Sequence, residues 1–319
     1  MTTPLLELKE LKKYFKVPGG WLHAVDGLNF KINKGETLGL VGESGCGKTT
    51  LGRVVIRLLK ATSGEVLYKG ENILDYKSKI KIREMKEKMQ IIFQDPYASL
   101  NPRMTVSELI GEALLVNKII KNKKKRIKRV RELMNIVGID KRLEELYPHE
   151  LDGGRRQRIG IARALSLNPE FIVCDEPVSA LDVSIQAQIL NLLMDLQDQM
   201  NYTYIFISHN LSVVKHISDE IAVMYLGQCV ERASSDELFI NPIHPYTKAL
   251  LKAIPIADLN LRGRKREILT GEVSSPINPA PGCRFATRCT FAKKECTEQD
   301  IPLKEVAKGH FVACYYINS

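Results

Sequence analysis

The apolar positions of the 319-residue chain change period several times, and each change marks an element. LLELK (5–9) and LHAVDGLNFKI (22–32) alternate apolar and polar residues, the pattern of half-buried antiparallel strands. ETLGLVG (36–42) predicts a buried strand ending in a glycine-rich turn, and a helical pattern runs from Lys48 to about Leu59. GEVLYKG and MQIIFQD (89–95) predict two further short strands. From Pro96 to Leu165 the pattern is mostly helical, punctuated by Pro102, Pro148 and Gly153-Gly154. Strand and helix then alternate through EFIVCDE, IQAQILNLLMDLQDQM, TYIFISH and EIAVMYLG. Such alternation predicts an α/β fold with a mainly parallel sheet, beside an antiparallel β subdomain and a helical subdomain at about 96–165. A proline-rich connector (Pro242, Pro245, Pro255, Pro276, Pro279, Pro281) leads to a cysteine-bearing tail, so the expected division is 1–255 and 256–319.

Composition changes little: 44% hydrophobic and 26% charged residues are ordinary for a soluble protein. Glu7 and Glu10 interrupt the only apolar stretch near the start, which is no secretory signal, and no run reaches the roughly 18 apolar residues of a membrane helix. The expected setting is the cytosol, where thiols stay reduced. The net charge of +10 is local, because Lys118 to Arg131 holds nine basic residues and no acidic one. Beyond a solvated helix face, that run fits anionic lipid headgroups. Nucleic acid fits less well, since no aromatic residue interleaves with the basic ones.

GESGCGKT (42–49) has the phosphate-loop spacing between a predicted strand and a predicted helix. Gly42, Gly45 and Gly47 let backbone N–H groups turn toward an anion, and the following helix start adds partial positive charge. Lys48 is placed to reach the β- and γ-phosphates of ATP and Thr49 to ligate Mg²⁺. Ser44, Cys46 and Thr50 complete the nucleotide-binding stretch; Cys46 has no expected redox role. In FIVCDEP (171–177) four apolar residues bury a strand that ends in two carboxylates. Asp175 is the expected second Mg²⁺ ligand, and Glu176 the group that polarises the attacking water.

Between these elements lies YPHELDGGRRQRIGIARAL (147–165). Here the chain resembles the ATP-binding subunits of ABC transporters, whose signature usually reads L-S-G-G-Q before a basic helix. In the family's order, Gln94 resembles the Q-loop glutamine, SALD (179–182) with Asp182 the D-loop, and His209 the switch histidine. Phe15 matches the aromatic that stacks on adenine, with Tyr14 as a near alternative. The resemblance implies an ABC ATPase fold with a RecA-like core. It also implies Gln94 at the Mg²⁺, and hydrolysis with Glu176 as base and His209 on the γ-phosphate. Two ATPase subunits would form a head-to-tail dimer, each ATP lying between one phosphate loop and the other chain's signature, and closure would move transmembrane partners.

The signature departs from the family: it reads Leu151-Asp152-Gly153-Gly154-Arg155. An ionised Asp152 cannot donate to a γ-phosphate as serine does, and like charge repels it. Arg155 offsets that charge or binds phosphate itself, and Gly153 and Gly154 keep their backbone N–H groups. The expectation is a heterodimer with unequal sites, against the alternative of a local Asp152–Arg155 ion pair without kinetic effect.

NPIHPYTKALLKAIP (241–255) followed by SSPINPAPGCRFATRC resembles the tail of dipeptide/oligopeptide importer ATPases, a subfamily that includes nickel and some oligosaccharide importers. This implies two transmembrane permease subunits, a second ATPase subunit, a peptide-binding protein further out, and a peripheral position on the cytoplasmic face of the membrane. Nickel or oligosaccharide cargo remains open. A soluble ABC ATPase acting on nucleic acid is the rival from another class, disfavoured because the chain has neither a second ATPase unit nor a coiled coil.

Cys283, Cys289, Cys296 and Cys314 are spaced C-x5-C-x6-C-x17-C. Paired zinc knuckles are absent, and the cytosolic setting disfavours disulfides. Four thiolates are the complement of a [4Fe–4S] cluster, which the subfamily resemblance supports; Zn²⁺ or no metal stays open. The expected role is a staple for a tail with little core of its own, with Arg284, Lys293 and Lys294 offsetting the cluster's charge.

Overall fold

The computed structural model of the chain describes residues 3–254 and 274–315. Two compact units emerge: Met1–Ile32, Thr37–Leu74 and Ile207–Ser319 form the first, Asn33–Glu36 and Asp75–Phe206 the second. The expected boundary after residue 255, with Pro255, lies outside the described residues.

In the first unit β1 (Leu6–Val17) and β2 (Gly20–Ile32) pair antiparallel across a tight turn. Their alternation holds: Leu6, Leu8 and Leu11 are buried, as are Val25, Leu28, Phe30 and Ile32 on the partner strand. β3 (Thr37–Val41) is buried at every position and runs into α1 (Lys48–Val55). This helix stops short of Leu59 because Arg57 takes a left-handed φ of 58°. β4 (Ser63–Tyr68) and β5 (Glu71–Asn72) complete a four-stranded antiparallel sheet in the order β2-β1-β4-β5.

The second unit begins with α2 (Lys79–Lys88), which the apolar pattern does not predict because Met85 is its only buried residue. β6 (Met89–Ile92) pairs in parallel with β7 (Phe171–Asp175), whose other neighbour is β8 (Thr203–Ile207). Between β6 and β7 lie α3 (Pro96–Ser99), α4 (Val106–Val116), α5 (Lys123–Ile136) and α6 (Gly153–Leu165), the expected helical stretch. α4 starts in a capping box in which Thr105 and Glu108 exchange bonds with each other's backbone N–H. α7 (Val183–Met200) links β7 to β8.

Back in the first unit, α8 (Leu211–Ile217) precedes β9 (Glu220–Tyr225), which pairs in parallel with β3. β10 (Gln228–Ser234) turns back antiparallel on β9 and is followed by α9 (Ser235–Ile240) and α10 (Pro245–Lys252). The tail holds α11 (Glu295–Glu298), β11 (Lys304–Ala307) and β12 (His310–Val312). β12 pairs antiparallel with β10, placing Val312 opposite Glu231 and Phe311 opposite Arg232. The tail therefore shares a core with the rest of the first unit, where the sequence led one to expect little core of its own. Phe285, 2% exposed, meets Tyr225 and Tyr246 at ring-centroid distances of 5.3 Å each.

Candidate functional site

The glycines of residues 42–49 are required by the turn from β3 into α1. Gly47 caps α1 at φ 105°, and a Cβ there would lie 1.9 Å from the Ala24 carbonyl oxygen. Lys48 is 5% exposed, and its Nζ donates to the carbonyls of Gly42 (2.7 Å) and Glu43 (3.0 Å). The loop thus carries its cation folded against its own backbone. Burial pushes the Cys46 thiol up, away from reactivity. Ser44 and Gly45 are exposed, and Thr49 and Thr50 half-buried at the helix start.

The two candidate adenine-stacking aromatics differ in their surroundings. Tyr14 stacks on His23 with centroids 3.8 Å apart, and its hydroxyl donates to Asp26. The Phe15 ring is half-buried, with Lys13 Nζ 4.6 Å from its centroid. His209 is exposed between β8 and α8, just before Asn210, whose side chain accepts from Ser212 N–H (3.0 Å) and caps α8.

In the second unit the structure brings two predicted residues together: Gln94 Nε2 donates to Glu176 Oε2 at 3.0 Å. Asp175 is 1% exposed at the end of β7, and Glu176 follows at φ 47°. A left-handed non-glycine residue costs roughly 1–3 kcal/mol. Asp182 caps α7, accepting from Ile185 N–H (3.0 Å) and from Ser184 Oγ (2.7 Å), and these bonds hold its carboxyl below the usual range.

Asp152 caps α6 by accepting from Arg155 N–H at 2.8 Å, and its other oxygen lies 3.4 Å from Arg155 Nε. The local ion pair therefore exists in the folded chain. Gly154 is needed for packing: a Cβ there would lie 2.8 Å from Ile185 Cγ2.

No disulfide joins any of the seven cysteines among the described residues. Cys283 N–H donates to the Cys296 carbonyl at 2.7 Å. Burial pushes the Cys283 thiol up to about 11, away from the thiolate form that binds metal. Among the described residues no group of three His, Cys, Asp or Glu side chains is close enough to hold a metal ion. Arg284 does not face the cysteines as its sequence position predicts: it donates to Asp26 and to the Leu226 carbonyl. Lys294 pairs with Glu298 at 3.5 Å.

Residue-type reasoning missed Arg288, whose guanidinium grips Glu43 of the loop at 2.8 and 3.1 Å. Its signal was weak, a single arginine beside a cysteine.

The "Oligopeptide transport ATP-binding protein OppF" of Bacillus subtilis (strain 168) is 53% identical over 315 residues, covering 98% of this chain and 97% of that protein. The chain belongs to the ABC transporter ATP-binding family. The family description "ABC transporter" matches residues 25–179, and "Oligopeptide/dipeptide transporter, C-terminal region" matches residues 230–296. The "Dipeptide transport ATP-binding protein DppF" of Haemophilus influenzae is 49% identical over 322 residues, covering 99% of this chain and 98% of that one. Among solved structures, the dimeric ATP-binding cassette MJ0796 bound to ADP and Pi in a post-hydrolysis state is similar at TM-score 0.66. It is 27% identical and covers 72% of this chain and 98% of its own. The chain is thus an ABC ATPase with mixed sheets, and no helix among its described residues is long and apolar enough to cross a membrane.

Proposed function

We propose that this ABC ATPase hydrolyses ATP to drive import of dipeptides or oligopeptides through two permease subunits. It would lie on the cytoplasmic side of the membrane, paired with a second ATP-binding subunit. The observation that carries the cargo is the likeness of the chain, from end to end, to proteins named for oligopeptide and dipeptide transport, together with the matched C-terminal region.

The chemistry follows residue by residue. Lys48 exchanges its two carbonyl partners for phosphate oxygens, a charge-assisted bond replacing neutral ones. Phe15 receives the adenine, supported by the engagement of Tyr14 with His23 and Asp26. Thr49, Gln94 and Asp175 offer hydroxyl, amide and carboxylate oxygens, a donor set that suits Mg²⁺, which would neutralise charge on the phosphates. Glu176 accepts a proton from the attacking water. The bond from Gln94 Nε2 fixes the direction in which the Glu176 carboxylate points. His209 holds the γ-phosphate. Asp152, Gly153, Gly154, Arg155 and Asp182 face the ATP of the second subunit, where the Asp152–Arg155 pair replaces a neutral hydroxyl donor.

The four tail cysteines suit a [4Fe–4S] cluster in number and kind, with Zn²⁺ the alternative; the cluster would act as a staple. Iron and sulfide analysis of anaerobically purified protein tests it: about four of each per chain is expected, and one zinc or no metal refutes it.

Peptide uptake by cells lacking this chain tests the main reading. Loss of growth on a dipeptide as the source of a required amino acid, restored by the intact chain and not by Lys48→Ala, is expected. Undiminished peptide uptake with impaired nickel accumulation refutes it.

A further inference from the structure

Glu43, the second residue of the phosphate loop, has every polar group of its main and side chain engaged. Its N–H donates to the Tyr246 hydroxyl at 2.9 Å, and its carbonyl accepts from Lys48 Nζ at 3.0 Å. Its carboxylate takes both arms of Arg288, Nη1 to Oε2 at 2.8 Å and Nη2 to Oε1 at 3.1 Å. Tyr246 and Arg288 come from α10 and the cysteine-bearing tail, far along the chain. The Arg288 side chain is 6% exposed, against 29% for Glu43, and Nη1 also reaches the Tyr225 hydroxyl at 3.3 Å. Arg288 lies 5.9 Å from the ring centroids of both Tyr225 and Phe285. A buried, bidentate fork between aromatic rings is the geometry in which an arginine–carboxylate pair holds position as well as charge.

A carboxylate inside a loop that binds a triphosphate is an electrostatic liability, because like charges at roughly 10 Å repel by an order of magnitude in affinity at an effective dielectric near 20. We infer that Arg288 is a positioning residue for nucleotide. From the C-terminal tail it neutralises and fixes Glu43, so that affinity for the phosphates of ATP depends on the tail being docked. This rests on residues 42–49 being the phosphate loop. Arg288 holds the Glu43 carboxylate, and the Glu43 main-chain carbonyl in turn accepts from Lys48 Nζ. Arg284, also from the tail, donates to Asp26, which accepts from the Tyr14 hydroxyl.

The test titrates a fluorescent ATP analogue against the full chain, with its Mg²⁺, for the wild type and four variants. Arg288→Ala is expected to weaken binding on the order of tenfold, since it strands the Glu43 charge beside the phosphates. Glu43→Gln is expected to tighten binding severalfold, since it leaves the arginine's charge uncompensated. The double variant returns to within about twofold of wild type. Opposite signs are what a purely structural clamp cannot produce: it predicts weakening in both single variants and no recovery in the double. That result, or an unmoved affinity in Arg288→Ala, overturns the inference. Should Arg288→Ala fail to fold, the sign for Glu43→Gln decides alone, tightening in favour and anything else against. Lys48→Ala separates the two levels. Lost binding there beside an unmoved Arg288→Ala overturns the role of Arg288 and leaves the phosphate loop standing. Retained binding in Lys48→Ala overturns the loop reading and the inference with it.

Discussion

Replacing His310 with alanine should loosen the tail from the nucleotide-binding unit, and the cost can be worked from the contacts. His310 is 1% exposed in β12, with Nε2 2.8 Å from Glu231 Oε1 and Nδ1 3.4 Å from Glu237 Oε1. Glu231 is fully buried on β10, so its carboxylate depends wholly on protein partners. Leaving a buried acceptor short of one donor costs about 1–3 kcal/mol. Two main-chain donors stay on Glu231, Ile243 N–H at 2.7 Å and His244 N–H at 3.0 Å, which favours the lower half, about 1.5 kcal/mol. For a unit of this size each kcal/mol moves Tm by about 2–4 °C, so a fall of about 3–6 °C is expected. Thermal unfolding of the His310→Ala chain at fixed pH measures it, and His310→Gln, which restores a donor, should recover part of the loss. A fall under about 2 °C would show that the main-chain donors satisfy Glu231 unaided, and the reasoning fails.

Glu176→Gln should lower phosphate release by the assembled transporter about 10²–10⁴-fold with KM unchanged; an unaltered rate rules out Glu176 as base. Burial holds the His244 imidazole down at about 3, where its Nδ1 accepts from Tyr246 N–H at 3.1 Å. Because the folded value lies below the unfolded one of about 6.5, this stability is complete above pH 6.5 and falls by up to about 1.4 kcal/mol per pH unit as pH drops toward 3. Urea unfolding at pH 7 and 5 should show that loss, and His244→Asn should remove it; an equal slope in the variant contradicts the burial argument. Lys123, Lys124 and Lys125 are exposed at the start of α5, where the helix end is already positive. Neutralising all three should weaken binding to anionic vesicles on the order of 100-fold, at about 1 kcal/mol each, and wild-type binding to neutral vesicles as tight as to anionic ones counts against a headgroup contact. Asp152→Ser with Arg155→Gln should raise hydrolysis by the mixed dimer; an unchanged rate makes the ion pair kinetically silent.

Much of the site was readable because its chemistry is local. A phosphate loop needs glycine at fixed intervals, then lysine and a hydroxyl, and the steric demand at Gly47 explains why no other residue type serves. The carboxylates at the end of β7 follow from a run of apolar residues that ends abruptly. The family resemblance put Phe15 first, with its neighbour Tyr14 as a near alternative. That His23 and Asp26 engage Tyr14 from the paired strand is visible only in the fold.

The tail marks the limit most clearly. Its cysteine spacing and prolines predicted a small cap needing a metal for want of a core, which is sound for a segment considered alone. In the folded chain the missing core comes from Tyr225, Tyr246 and Glu231, residues with no reason in their own neighbourhoods to await a partner so far along the chain. Periodicity, capping and the phosphate loop were determined by the sequence itself, because each depends on residues within a few positions of one another. The grip of Arg288 on Glu43, the contact of Gln94 with Glu176 and the edge pairing of β12 on β10 were decided only by the tertiary structure. Their partners are separated by tens to hundreds of residues, and only the packed core sets which side chains come within hydrogen-bonding distance.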